Sequence, residues 1–201
     1  MSTILVFRHG ETQWNRARKV QGHTDAFSPL TLRGVEQSKD YGLALAKYMD
    51  GALGGWRVMA SPLARCVQTV SVLCDASGLD FNRVTFDERL KEVGTGDFSG
   101  WTRAALESAH PELFGGKGAD SWYFRCPGGE TLADMQGRLG DWLAARRDGE
   151  KIVAVTHGVA GKVLRALYLG ADPADILSQD SPQDAFFILT GGKAIRRSVH
   201  D

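Results

Sequence analysis

Two apolar runs of strand length, each ending in histidine and glycine, constrain this chain more than any other feature. Ile4-Leu5-Val6-Phe7 leads into Arg8-His9-Gly10-Glu11-Thr12, and Ile152-Val153-Ala154-Val155 leads into Thr156-His157-Gly158. Four consecutive apolar residues bounded by turn signals suit a strand covered on both faces, the situation inside a parallel sheet flanked by helices. Ligands of such sheets collect at the carboxyl ends of the strands. Two imidazoles far apart in the chain are therefore expected to share one crevice. Either histidine alone would read equally well as an ordinary loop residue.

With 201 residues, 43% of them hydrophobic, the chain can bury a substantial core, and no proline, serine or charge run divides it. One domain over residues 1–201 is the simplest expectation. Lys plus Arg and Asp plus Glu are 24 each, a formal net charge of zero. That balance gives no general attraction to nucleic acid or to an anionic membrane. Any basic feature must be local, and Arg8, Arg16, Arg18, Lys19 and Arg33 cluster near the first strand. All but Arg8 fit a solvated surface as well as a function. Cys66, Cys74 and Cys126 are an odd number without paired spacing and read as reduced thiols. Met1-Ser2-Thr3 runs straight into the first strand with no basic and apolar leader, so a soluble cytoplasmic protein is expected.

Strand-like and helix-like segments alternate, as in a layered α/β domain. Thr31 is a plausible N-cap for a helix to about Met49 with Val35, Gly42, Leu45 and Met49 on one face. A strand at 57–60 precedes Ser61-Pro62-Leu63, which reads as a helix start, the helix stopping near Gly78. A further strand is expected at 83–86. Residues 92–129 read as long loops with a helix near 103–109, and such loops commonly form lids or binding segments. Gly129-Glu130-Thr131 opens a helix to about Arg146, and Gly158 opens another with Val159, Val163, Leu164 and Leu167 as its buried stripe. A hairpin over 185–199 closes the chain, turning at Thr190-Gly191-Gly192-Lys193.

Arg8 beside His9, His157 at a helix start and Arg65 early in another helix would gather like charges around one imidazole. Such a cluster is repulsive unless an anion sits in it. Phosphate fits, because guanidinium forks match its oxygens and helix N-termini add amide donors. A neutral imidazole at His9 could then attack phosphorus, dividing one hard displacement into two easier ones. Arginines and a protonated second histidine would stabilise the transition state without a metal or other cofactor. The leaving alkoxide needs a proton, and Glu92 in Leu90-Lys91-Glu92 follows the third expected strand. Burial beside a bound phosphate would hold that carboxyl protonated until needed.

Arg8-His9-Gly10-Glu11-Thr12-Gln13-Trp14-Asn15, Ser61-Pro62-Leu63-Ala64-Arg65-Cys66-Val67-Gln68-Thr69, Leu90-Lys91-Glu92, Pro127-Gly128-Gly129-Glu130-Thr131 and Thr156-His157-Gly158 occur in this order over nearly the whole chain. The set resembles the histidine phosphatase superfamily in its phosphoglycerate mutase-like branch. The resemblance implies a three-layer α/β/α sandwich with a mostly parallel central sheet and a phosphohistidine intermediate on His9. It further implies phosphate held by Arg8, Arg65 and His157, with Glu92 as general acid and base. Asn15, Gln21 and Gly22, together with Gly158, are the implied substrate-binding residues; Asn15 and Gly22 also suit plain cap and turn roles.

Two departures bear on the substrate. Asp25-Ala26-Phe27-Ser28-Pro29-Leu30-Thr31 is two residues longer than the family's usual Asp-x-Pro-Leu-Thr, and Gly96-Asp97-Phe98-Ser99-Gly100 has serine where glutamate is common. No cysteine has an arginine six positions later, no Gly-x-x-x-x-Gly-Lys-Ser/Thr loop occurs, and His23, His110 and His200 lack metal-ligand spacing. Trp14, Trp101, Trp122 and Phe124 suit core or lid packing better than substrate stacking, and Cys66 reads as a buried helix residue. Glycolytic mutases of the family usually carry an extra segment between the acid and the second histidine. This compact chain is more like the phosphatases, so hydrolysis of a small phosphorylated metabolite is the leading expectation. A 2,3-bisphosphoglycerate-dependent phosphoglycerate mutase and a noncatalytic phosphate-binding or docking protein are the alternatives. A homodimer through the edge hairpin or an exposed helix is left open.

Overall fold

The computed structural model describes residues 1–23 and 28–201. Six strands form one sheet: β1 (Thr3–Arg8), β2 (Trp56–Ala60), β3 (Thr85–Phe86), β4 (Lys151–Thr156), β5 (Ala185–Thr190) and β6 (Lys193–Ser198). Their order is β3-β2-β4-β1-β5-β6, parallel from β3 through β1, with β5 and β6 added antiparallel at one side. The helices are α1 (Gln13–Arg16), α2 (Leu32–Met49), α3 (Ala64–Ser77), α4 (Arg103–Ala109), α5 (Leu132–Ala144), α6 (Gly158–Leu169) and α7 (Pro173–Leu177).

Alternation along the central strands builds the three layers. Ile4, Val6, Ile152 and Ala154 pack with residues of α5 and α6, while Leu5, Phe7, Val153 and Val155 pack with α2 and α3. Both faces are apolar, so the strands read as unbroken hydrophobic runs. A third cluster of Phe98, Leu106, Leu113, Trp122 and Cys126 lies within 92–126. That stretch is thus a small packed unit of α4 and short 3-10 turns rather than open loop.

Thr31 caps α2 through the Gly34 amide, as the sequence suggests, and Gly78 ends α3 in the left-handed conformation. Other expectations need correction. Val35 is 41% exposed, and the buried face of α2 is built on Gly34, Ser38, Tyr41, Gly42, Leu45 and Met49. Helix α3 starts at Ala64 after an extended Leu63, because Ser61 still donates its amide to Val155 of the sheet, 3.0 Å. The third strand shrinks to Thr85–Phe86, since Asp80 caps a 3-10 turn over Phe81–Arg83. Val159 and Leu167 are only partly buried; Ala160, Val163, Leu164 and Ala166 fill the interior face of α6. Among the described residues, no helix is long and apolar enough to cross a membrane.

Candidate active site

Because β1 and β4 are neighbours with Arg8 opposite Thr156, the residues following them emerge side by side. The His9 amide donates to the Thr156 carbonyl at 2.9 Å, and the His9 and His157 rings stand 5.2 Å apart between centroids. The adjacent β2 delivers Ser61 to the same end.

Hydrogen bonds assign the two rings different tautomers. His9 Nδ1 lies 2.8 Å from the Gly10 carbonyl, which only accepts, so the proton sits on Nδ1 and Nε2 keeps its lone pair. The Gly10 amide donates to Thr69 Oγ1, and Gln183 Nε2 donates to the His9 carbonyl. A Cβ on Gly10 would overlap the Gly34 carbonyl oxygen, and one on Gly34 would overlap the Glu11 carbonyl oxygen. Two backbones thus interlock beneath the ring. At His157, Arg65 Nε donates to Nδ1 at 3.0 Å; arginine cannot accept, so Nε2 carries the proton, directed at Ser61 Oγ, 2.8 Å. Cys66 Sγ is 3.4 Å from that nitrogen, so its contacts exceed those of a plain buried helix residue. The second histidine, expected to face an anion as a cation, is a neutral ring whose Nδ1 accepts from Arg65 and holds it in place.

Burial, reinforced by Arg65 and Arg8, pushes the His9 pKa well below its ordinary value, and burial with Arg65 does the same to His157. Each folded pKa is therefore depressed relative to the unfolded chain, which binds protons once pH falls below about 6.5. Above that pH neither state is protonated and the effect vanishes; below it, stability is lost at about 1.4 kcal/mol per pH unit for each ring until the native value is reached. Urea unfolding at stepped pH between 7.5 and 5 checks this expectation. A midpoint that stays level or climbs on acidification would refute the buried neutral pair.

Glu92 is 8% exposed, yet its surroundings are not apolar. Its carboxylate accepts from the amides of Val159 (3.2 Å), Ala160 (3.0 Å) and Val93 (3.1 Å), sitting at the N-terminus of α6 where amide donors and the helix dipole favour an anion. The desolvated carboxyl expected from sequence is thus replaced by one solvated by backbone. Arg138 holds it from behind: its guanidinium donates to the carbonyls of Arg89, Lys91 and Glu92 and pairs with Glu130 at 2.5 Å. The Pro127 to Thr131 segment docks through Glu130, whose amide meets the Gly94 carbonyl. Neither Arg138 nor Gln183 was legible as a site residue, because a charge on a helix face and a glutamine in a loop have no distinctive spacing.

Arg8 anchors one guanidinium nitrogen on the Ser181 carbonyl, 2.7 Å, while its buried Nε has no hydrogen-bond partner among the described residues. That Nε and Glu92 Oε2 both lie 3.6 Å from where a Gly158 Cβ would stand. A buried guanidinium donor without an acceptor, at the mouth of a helix N-terminus, is a seat for an oxyanion. Arg8 and Glu92 line a cavity of about 430 Å³, whose wall includes Asn15, Gln21, Thr95 and Trp122. Asn15 also caps α1 through Thr12, Gln21 donates to Thr12 Oγ1, and the Gly22 carbonyl accepts from Arg65. All nine residues expected from sequence therefore lie at this end of the sheet. Of the longer entrance segment, Asp25, Ala26 and Phe27 lie outside the described residues. Among the described residues no group of three or more His, Cys, Asp or Glu side chains could hold a metal ion.

The family model for the histidine phosphatase superfamily, branch 1, matches residues 4–190. The chain belongs to that superfamily. Among its relatives, a probable phosphoglycerate mutase GpmB of Salmonella paratyphi C is 30% identical over 185 residues, covering 85% of this chain and 76% of the relative. YhfR of Bacillus stearothermophilus, a solved structure, superposes with a TM-score of 0.77 at 26% identity over 98% of this chain and 96% of its own. A mycobacterial glucosyl-3-phosphoglycerate phosphatase shares the fold with a TM-score of 0.76 at 23% identity, over 98% and 96% of the two chains. As a histidine phosphatase superfamily member the protein is an enzyme of a group that holds phosphatases and mutases.

Proposed function

We propose that this enzyme hydrolyses a small phosphomonoester through a phosphohistidine on His9. The observation that carries the reading is the His9 tautomer: its proton is held by the Gly10 carbonyl, leaving Nε2 a free lone pair beside two arginines. The ester's phosphoryl group lies between Arg8 and Arg65, and Nε2 attacks phosphorus as the bond to the alcohol oxygen breaks. Glu92, with a proton taken up together with the substrate, protonates the departing alkoxide. Water then attacks the phosphohistidine, giving one proton back to Glu92, and the phosphorus–nitrogen bond breaks to release inorganic phosphate. Atoms and charge balance over the cycle. His157 keeps Arg65 aligned and turns its ring to the phosphoryl oxygens when they arrive. The substrate is a phosphorylated metabolite, and the enzyme works in the cytoplasm.

Rapid quenching with a ³²P-labelled ester tests the intermediate: label is expected on the protein, stable in base and lost in acid, and mapping to the His9 peptide. Label that resists acid, or that maps elsewhere, would rule the mechanism out. The name of the GpmB relative favours a second reading, a phosphoglycerate mutase. Rapid formation of 2-phosphoglycerate from 3-phosphoglycerate, in the presence of 2,3-bisphosphoglycerate and with little free phosphate, would select it.

A further inference from the structure

Residues 178–184 join α7 to β5 and touch the site without lining its cavity. The Ser181 carbonyl receives the single hydrogen bond that the Arg8 guanidinium makes to a described residue, and two positions further on Gln183 donates from Nε2 to the His9 carbonyl at 2.8 Å. No carboxylate pairs with Arg8 among the described residues. Its aim therefore depends on a loop carbonyl. Pro182 stands between the two contacts, with its own φ fixed by the ring and Ser181 biased to extended backbone, which limits how far they can drift apart.

Each contact is braced in turn. The His9–Gly10 peptide is held at both ends, by Gln183 on its carbonyl and by Thr69 Oγ1 on its amide at 3.0 Å, and the Thr69 hydroxyl donates onward to the Arg65 carbonyl at 2.7 Å. A peptide plane fixed at two points sets the following carbonyl, that of Gly10, which keeps the His9 proton on Nδ1. On the other side, Arg165 of α6 donates from Nη2 to the Asp180 carbonyl at 3.1 Å and lies 3.8 Å over the Phe187 ring. It is 3% exposed and forms no ion pair with an acid among the described residues, while the Asp180 carboxylate faces Arg196 at 3.5 Å. Burial pushes the Arg165 pKa down to about 10, although nearby Asp180 offsets part of that. A desolvated cation bonded to a carbonyl alone adds little stability, and an apolar side chain would suit the place as well or better. What it does have is position: Arg165, Arg8, His157 and Ser181 line one narrow crevice.

We infer that Gln183 and Arg165 are positioning residues with separate tasks: Gln183 fixes the peptide beneath the nucleophile, and Arg165, through Asp180 and Ser181, fixes the carbonyl that aims Arg8 at the phosphoryl group. This rests on the phosphohistidine reading for His9 and the oxyanion seat at Arg8. Loss of the first task harms the chemical step and loss of the second harms phosphate binding, although both residues act through one short loop and neither touches the substrate.

Turnover of p-nitrophenyl phosphate, calorimetric binding of inorganic phosphate and ¹⁵N NMR of the histidine rings separate the two tasks. Gln183→Met keeps the length of the side chain and removes its donor. Its kcat is expected to fall about tenfold with phosphate affinity within about twofold of wild type, and the His9 nitrogens should move from the pattern of a fixed Nδ1–H toward the averaged shifts of exchanging tautomers. Arg165→Met should weaken phosphate binding and raise KM about tenfold while kcat and the His9 tautomer stay near wild type. Its melting temperature should hold level or climb, because an apolar side chain replaces a buried charge. Variants that melt earlier and lose binding and turnover in equal measure would reduce the loop to scaffold and overturn the assignment, as would variants indistinguishable from wild type. Were the wild type to hydrolyse no ester while tautomer and phosphate affinity shifted as described, the positioning roles would stand and the phosphatase reading would fall.

Discussion

Replacing His9 by alanine is expected to lower kcat for p-nitrophenyl phosphate by about four orders of magnitude or more, the scale on which removal of a covalent nucleophile acts. The phosphate seat should survive, because Arg8 is tethered to Ser181 and Arg65 to His157 and Gly22, none of which depends on the His9 ring. Competitive inhibition by inorganic phosphate should therefore change little while turnover disappears. Steady-state kinetics with the variant, and the quench experiment repeated on it, provide the check. Retention of more than a hundredth of the activity would show that another group receives the phosphoryl.

A second large effect is expected at Glu92, and its size should depend on the substrate. Glu92→Gln keeps the shape and leaves a carbonyl oxygen for the amides of α6, but it cannot give or take a proton. For an alkyl phosphate, whose alkoxide leaves only when protonated, kcat should fall about a thousandfold, within the range of general acid catalysis. For p-nitrophenyl phosphate, whose phenolate leaves unaided, the loss should be much smaller, and it should appear in the later hydrolysis step. A variant that loses the same factor on both esters would show Glu92 acting through position or charge alone. Arg138 gives an internal comparison, since it braces the backbone of Glu92 without reaching the carboxylate.

The parts legible in the sequence are those fixed by local or periodic rules. Thr31 and Gly78 bound their helices because a hydroxyl acceptor and a left-handed glycine act within one turn. His9 and His157 could be paired because buried parallel strands are recognisable and their ends converge. What escaped depends on contacts distant in sequence. Val35 sits at helical spacing yet faces outward, since Gly34 is the residue that must approach Gly10 and Glu11. Ser61 has the composition of a cap, but a bond to β4 and the ring of His157 claim it instead. Residues 92–126 form their own small core through 3-10 segments that are either three residues long or, over Gly116–Arg125, kinked at Ser121, so none displays a sustained period.

The touching backbones of Gly10 and Gly34 have a bearing on how the reaction travels. With the first turn of α2 pressed directly against the loop at Gly34, the backbone that carries His9 is held at Gly10. On the proposed mechanism, a ring carried by so fixed a backbone would leave most of the displacement to the phosphoryl group. An acceptor anchored in this way would, under the same proposal, let Glu92 stay beside the outgoing oxygen throughout the transfer.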